Sequence, residues 1–254
     1  MTQGLCRISE RRVSNAGTPR RLVRVVRRFL LSVLLAAAHA SAAVDLSGYW
    51  MLDTQRSRLD IDKSLLTDTA AERVRTFNPT QHDPVTVCMP YGMPRVMTAL
   101  GAFPMEIVQT DAQITMIFDA HDEVRRVMLT AKARDASELA PLWLGYASGK
   151  WEGETLVVRT IGITDQSLVT GSGVPHSGDL VVTERIRKAD ANTLVNEMTL
   201  EDPQAFKQPV KRTIYYTRVP EMQQREFHCA ERMWLDHVTD RAKALTRELA
   251  EKKE

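Results

Sequence analysis

Beyond the turn Thr110-Asp111-Ala112, apolar residues fall on alternate positions: Ile114, Met116 and Phe118 interleave with polar or opposite-face residues. That period of two is the pattern of a half-buried β-strand. His121-Asp122-Glu123 then turns the chain into a strand at Val124–Leu129, and Trp151-Glu152-Gly153-Glu154 turns it into Thr155–Val158. Leu180–Arg187 and Leu194–Leu200 continue the series across the turn residues Ala189-Asp190-Ala191-Asn192, and Val210–Thr217 follows. Upstream, Asp45–Leu52 reads as a first strand. Residues 56–76 read as a short polar helix with Leu59, Leu65, Leu66 and Val74 as its partial apolar spacing. At the other end Leu235, Val238, Ala242, Leu245 and Leu249 recur in steps of three and four, with Lys, Arg and Glu between them. This spacing predicts an amphipathic helix lying on the sheet. Short strands separated by turn chemistry predict an antiparallel sheet curled into a barrel or sandwich.

The first forty-odd residues follow a different rule. Arg11, Arg12, Arg20, Arg21, Arg24, Arg27 and Arg28 precede an apolar run from Phe29 to Ala38, which ends in Ala40-Ser41-Ala42-Ala43. A positive n-region, an apolar stretch of about ten residues and an A-x-A site make a secretory signal peptide over residues 1–42. The run is far short of the about 20 residues a membrane span needs, so no stable span is expected after cleavage. The expected location is periplasmic or secreted. Residues 43–254 have the length of one domain with a sizeable core. Of the 3 cysteines, Cys6 leaves with the signal. In an oxidising compartment the remaining two, Cys88 and Cys229, read as a disulfide rather than a reactive pair.

Composition narrows the class. The chain has 254 residues, 34 Lys+Arg against 32 Asp+Glu, a net charge of +2, and 43% hydrophobic residues. This is ordinary globular composition and excludes large-scale disorder, collagen and a multi-span membrane protein. A charge so near neutrality argues against a nucleic-acid binder, which carries a concentrated basic face. The His and acidic positions are scattered, with no H-E-x-x-H or C-x-x-C, so neither a zinc site nor any other metal site is expected. Gly171-Ser172-Gly173 lacks the rest of a nucleophile elbow. With no dinucleotide fingerprint or phosphate loop either, no cofactor is expected.

Gly48-Tyr49-Trp50 looks like the G-x-W signature of lipocalins and the wider calycin group. A longer series is more specific. It runs through Cys88-Met89-Pro90-Tyr91-Gly92-Met93-Pro94-Arg95, Phe103–Thr110, His121–Arg126 and Trp143-Leu144-Gly145. It continues with Gly149-Lys150-Trp151-Glu152-Gly153-Glu154-Thr155-Leu156-Val157-Val158, Pro175-His176-Ser177, Thr183-Glu184-Arg185, Glu201-Asp202-Pro203 and Cys229-Ala230-Glu231. This series resembles a family of exported, largely uncharacterised bacterial proteins. The resemblance spans roughly residues 45–235, by the extent of the motifs. It implies a mainly β fold: a single antiparallel calycin-like (lipocalin-like) β-barrel with a short N-terminal helix and a C-terminal amphipathic helix. No activity travels with it. Both mature cysteines fall on motif positions, which agrees with their pairing. The chain departs from the family's usual pattern at Tyr146, Arg159 and Ile163.

A small barrel can hold one small ligand in an interior of apolar walls with a few placed polar groups. On Leu180–Arg187, Glu184 shares a face with Leu180, Val182 and Ile186. A carboxylate there is either ion-paired, with Arg126 or Arg212, or has a raised pKa useful for acid–base work. His121 at a strand turn and His176 in the loop Gly171–Gly178 are candidate proton shuttles, with Glu184, in a catalytic reading. Arg95 and Arg125 are candidates to hold a ligand's oxygen anion, although Arg125 and its neighbour Arg126 point to opposite faces. Tyr91, Trp143 and Trp151 are candidates to stack on an aromatic ligand. Two functions follow. The first is an exported barrel binding a small hydrophobic or aromatic molecule. The second is a cofactor-independent lyase, isomerase or cyclase acting on an aromatic or polycyclic molecule by His/Glu acid–base chemistry. A partner-binding role through the C-terminal helix is a third.

Overall fold

In the computed structural model, residues 44–57, 60–98, 104–130, 135, 138–222, 229 and 231–251 are described. Residues 1–42, where a signal peptide is expected, and Leu59 lie outside them. Nine strands run in chain order around a closed barrel: β1 Gly48–Leu52, β2 Met105–Gln109, β3 Gln113–Phe118, β4 Glu123–Met128, β5 Tyr146–Glu152, β6 Thr155–Ile161, β7 Val181–Asp190, β8 Thr193–Glu201 and β9 Val210–Arg218. Closure comes from β1, which pairs with β2 on one side and with β9 on the other. A closed sheet leaves no edge strand to recruit a second chain.

The predicted strands correspond to observed ones, with shifted ends. The first begins at Gly48 rather than Asp45. β2 and β5 are further strands that periodicity did not mark: β2 follows Pro104 and contributes only Met105-Glu106-Ile107-Val108-Gln109, and β5 ends in Trp151-Glu152, which reads as part of a turn. The sheet is not wholly antiparallel. β4 and β5 run parallel through two pairs, Val127 with Ala147 and Met128 with Ser148. Parallel neighbours need a crossover, and here residues 129–145 make it. Leu142 is its last anchor, its N–H donating to the Gly162 carbonyl (3.0 Å) and its carbonyl accepting from Thr164 (2.9 Å).

The helical segments also differ from expectation. Instead of one helix over 56–76, a 3-10 turn at Lys63–Leu65 is followed by a separate helix α1, Asp68–Arg75. Two caps enforce the break: Asp62 accepts from Ser64 N–H, and Thr67 accepts from Ala70 N–H at the start of α1. Each restarts the helix where its own orphan donors are satisfied. A one-turn helix α2 spans Pro79–His82. The C-terminal helix α3, Glu231–Glu251, is present, but its residues 238–247 are all exposed, Val238 and Leu245 included. Over that stretch it does not lie on the barrel. The chain just ahead of it is tied back by a Cys88–Cys229 disulfide with a Cα–Cα distance of 5.7 Å. Among the described residues no helix is long and apolar enough to cross a membrane.

Period-two alternation decides what fills the barrel. Ile114, Met116 and Phe118 of β3, Leu156 and Val158 of β6, Val182 and Ile186 of β7, and Ile214 and Tyr216 of β9 are all buried, around a fully buried Trp50. The same alternation carries charge inward. On β4 it buries Glu123 and Arg125, on β7 Glu184 and on β8 Asn196. Arg125 Nη1 donates to Glu184 Oε1 (3.2 Å), and Nη2 donates both to Glu184 Oε2 and to Thr160 Oγ1 (2.8 Å). Asn196 Nδ2 donates to Glu184 Oε1 at 2.8 Å. The pair is 1% and 0% exposed. Of the alternatives left by the sequence, Glu184 is therefore ion-paired, and its partner is Arg125 rather than Arg126 or Arg212.

The interior is thus packed rather than cup-shaped. Among the described residues a void of about 20 Å³ lies beside Trp50, Met97 and Tyr216, at most the size of a water. Truncating either member of a buried pair strands the other charge and costs about 3–5 kcal/mol, whereas removing both together costs much less. In urea unfolding, Arg125→Met and Glu184→Leu should each be strongly destabilising, and the double variant should fall far short of their sum. Additive losses would contradict the pairing.

Candidate functional site

The residues singled out in the sequence separate into four places. Arg125 and Glu184 form the interior pair just described. Both carboxylate oxygens of Glu184 accept hydrogen bonds from Arg125, and Oε1 accepts a further one from Asn196, so the group is already engaged as an acceptor. Burial also acts on its neighbours. It pushes the Arg212 guanidinium down to about 10 and the Tyr216 hydroxyl up from its ordinary value. The Tyr216 hydroxyl donates to the Met97 carbonyl at 2.6 Å.

His176 stands apart from that pair. Its Nδ1 lies 2.8 Å from the Ser177 carbonyl and its Nε2 2.8 Å from Ser167 Oγ. A carbonyl can only accept, so Nδ1 carries the proton, while the single Ser167 hydroxyl proton is shared among Nε2 and the carbonyls of Met93 (3.0 Å) and Thr164 (3.1 Å). Ser177 is fixed in turn by Asp202, which accepts from its N–H (2.6 Å) and its hydroxyl (2.9 Å). The Ser-His contact has the spacing of an activated nucleophile, but Ser167 is 1% exposed and lies under Gly92, where an added Cβ would stand 2.9 Å from its own Cβ. The arrangement braces the loop Thr164–Ser177 against the segment around Met93. Burial is the main cause holding the His176 pKa below its usual value.

Tyr91, Arg95 and His121 do come together, joined by two acids that sequence reasoning did not single out. Arg95 makes a two-pronged pair with Asp83 (2.7 and 2.8 Å) and lies 5.0 Å over the Tyr91 ring. The His121 ring meets Tyr91 edge-on at 4.9 Å. Glu123 accepts the backbone N–H groups of Tyr91 (2.6 Å) and Gly92 (3.0 Å). His121 holds φ 59° and Asp122 φ 51°, a left-handed conformation uncommon for residues other than glycine and worth testing for function. Burial raises the Glu123 carboxyl to about 7 against the two N–H groups that favour its charge. Burial, followed by the Arg95 charge, lowers His121, and burial raises Tyr91. Glu123 was legible by the alternation that marked Glu184, since it shares a face with Arg125 and Val127.

Trp151 packs against the core from its half-buried position, whereas Trp143 lines a cavity. That cavity, about 660 Å³, lies over the parallel seam. Its walls are Val124, Met128, Leu142, Trp143, Tyr146 and Ile161, with Arg126 and Arg159 among them. Val124, Arg126 and Met128 are the positions of β4 facing away from the interior. The seam has only two residue pairs, and the crossover segment Leu142–Gly145 stands over it as a side wall. Gly145 makes that approach possible. It holds φ +61°, and a Cβ there would come within 2.7 Å of the Ile161 carbonyl.

No protein-family profile and no curated protein matches this chain. Among solved structures it is similar to one titled "REP1-NXSQ fatty acid transporter". The match is 13% identical, covers 71% of this chain and 100% of that one, and has a TM-score of 0.35. So distant a likeness leaves the geometry to carry the argument.

Two opposed pH dependences follow from the site. Glu123 binds its proton more tightly folded than unfolded. Its contribution to stability is complete below the ordinary value of 4.5 and is lost as pH rises through about 7. His121 and His176 are lowered from 6.5, so their contribution is present above 6.5 and is lost as pH falls through their folded values. In Glu123→Gln the unfolding free energy should therefore climb with pH more steeply than in the wild type between about pH 5 and 7. An unchanged slope in urea titrations would contradict the raised Glu123 carboxyl.

Proposed function

We propose that this protein is an exported β-barrel that binds a small hydrophobic or aromatic molecule in the groove over the β4–β5 seam, outside the barrel wall. The observation that carries the reading is the contrast between a void of about 20 Å³ inside and a groove of about 660 Å³ outside. Ligand pockets of small molecules run from about 300 to 1,000 Å³ and are mostly apolar with a few placed polar groups. The groove meets both conditions. Entry into the interior would instead mean breaking the Arg125–Glu184 pair. The arginine-rich leader with its apolar run and A-x-A site, the Cys88–Cys229 disulfide and the resemblance to exported bacterial barrel proteins support a periplasmic or secreted location.

A second reading has one observation in its favour. Glu123, raised to about 7, adjoins the Tyr91 backbone, and the Tyr91 ring touches His121. Those are the components of a metal-independent lyase or isomerase working by proton transfer. In that reading His121 and Glu123 exchange the proton, and Glu184, held by Arg125, takes no part.

Binding of N-phenyl-1-naphthylamine, followed by its fluorescence, separates groove from interior. Met128→Lys and Leu142→Lys change exposed positions and should weaken binding at least about tenfold, since each sets a charge against apolar ligand surface. Met116→Leu, inside the barrel, should leave affinity within about twofold because its volume is conserved. Binding that survives both groove substitutions would overturn the proposal.

A further inference from the structure

Three arginines line this groove; Arg125 belongs to the interior pair, and among the described residues neither Arg126 nor Arg159 has a partner. Arg126 and Arg159 form no hydrogen bond or ion pair with any described residue, whereas Arg75, Arg95, Arg125 and Arg185 each meet a carboxylate. Among the described residues no Asp or Glu lines the cavity. On its other side Arg159 borders a smaller depression containing Asp135 and Asp179. Asp179 accepts from Gln204 at 2.8 Å, and Asp135 has a partner of its own.

Register places the two guanidinium groups to act on one ligand. Ser148 of β5 is flanked by Met128 of β4 and by Arg159 of β6, so these three form a row across the outer face. Arg126 stands two residues before Met128 on that same face. Strands lie about 4.8 Å apart and same-face neighbours along a strand about 6.7 Å apart. The two Cα atoms are therefore about 12 Å from each other by that spacing. Two arginine side chains reaching toward one another close that gap. Apart from Ser148 the remaining described walls are apolar or aromatic, so the basic groups sit at a fixed place on a mostly greasy surface.

We infer that the groove selects an amphipathic acid: a single molecule with an apolar body against Met128, Leu142, Trp143 and Tyr146 and one carboxylate held by Arg126 and Arg159. This rests on the groove being the binding site. A guanidinium presents paired N–H donors that match a carboxylate in plane. The apolar walls would exclude a small, fully hydrated anion, because desolvating it gains no apolar contact. The charge is needed for selection rather than for bulk affinity, so the preference should shrink as salt screens the exposed arginines.

1-Pyrenebutyrate and 1-pyrenebutanol share one ring system and chain and differ in the charged end. Titrating each into the full mature protein and following pyrene fluorescence tests the inference. At low salt the acid should bind about tenfold more tightly than the alcohol, the value of one good charge-assisted contact. Arg126→Gln and Arg159→Gln should each erode that preference, and together they should abolish it. Equal affinities in the wild type would overturn the selection of an acid and leave the groove reading standing. Failure of both probes to bind would overturn the groove reading itself, and this inference with it. A preference seen only on phosphatidylglycerol vesicles, with no binding of the free acid, would also overturn it.

Discussion

A guanidinium and a carboxylate inside a nine-stranded barrel constrain the rest of this molecule. Arg125 and Glu184 sit on strands that are not neighbours, at 1% and 0% exposure, with Thr160 and Asn196 supplying further hydrogen bonds. Such a pair adds little net stability compared with apolar residues of the same volume, because desolvation offsets most of the attraction. Its consequence is geometric. Charges this deep must remain together, so the strands bearing them keep their register, and the space a lipocalin-like barrel would offer to a ligand is occupied by the protein itself. That is why a barrel of ordinary strand number has its usable cavity on the outside.

The position of that cavity follows from the one irregular junction. Eight of the nine strand contacts are antiparallel and extend over three to nine residue pairs, while β4 and β5 meet through two parallel pairs. The crossover needed to make them parallel brings Leu142–Gly145 alongside the sheet and turns an open face into a walled groove. The loops nearby are held by contacts that have no need to be catalytic. The Met93 N–H donates to the Trp143 carbonyl at 2.8 Å, Ser167 and His176 brace the loop behind, and Asp83–Arg95 and the Cys88–Cys229 bridge secure the segment in front. Together with the Leu142 backbone bonds to Gly162 and Thr164, these fix the crossover.

Much of the barrel was legible in the sequence because alternation is a local property. The faces of β3, β4 and β7 follow from residue parity, which placed Glu184 inward and separated Arg125 from Arg126 before any contact was known. Which arginine meets Glu184 was not legible. The partner lies 59 positions away, and its choice depends on how many strands intervene. The groove was hidden for the same reason: Met128, Leu142, Tyr146 and Arg159 become neighbours only through the crossover. β2 was obscured by its five-residue length and the proline before it, and the single helix expected over residues 56–76 was divided by the Asp62 and Thr67 caps. The exposure of Val238 and Leu245 shows the limit of an apolar stripe as a guide: it marks a helix without saying what covers it.

The molecule carries its own reporters for the claim that the barrel is closed and the groove open. Met97 and Met116 touch the Arg125 guanidinium inside, whereas Met128 is 37% exposed on the groove wall. With ¹³C-methyl methionine labels, addition of a hydrophobic ligand should shift the Met128 resonance and leave those of Met97 and Met116 in place. Shifts at Met97 and Met116 with Met128 unmoved would mean that the ligand enters the barrel, and the central claim would fall.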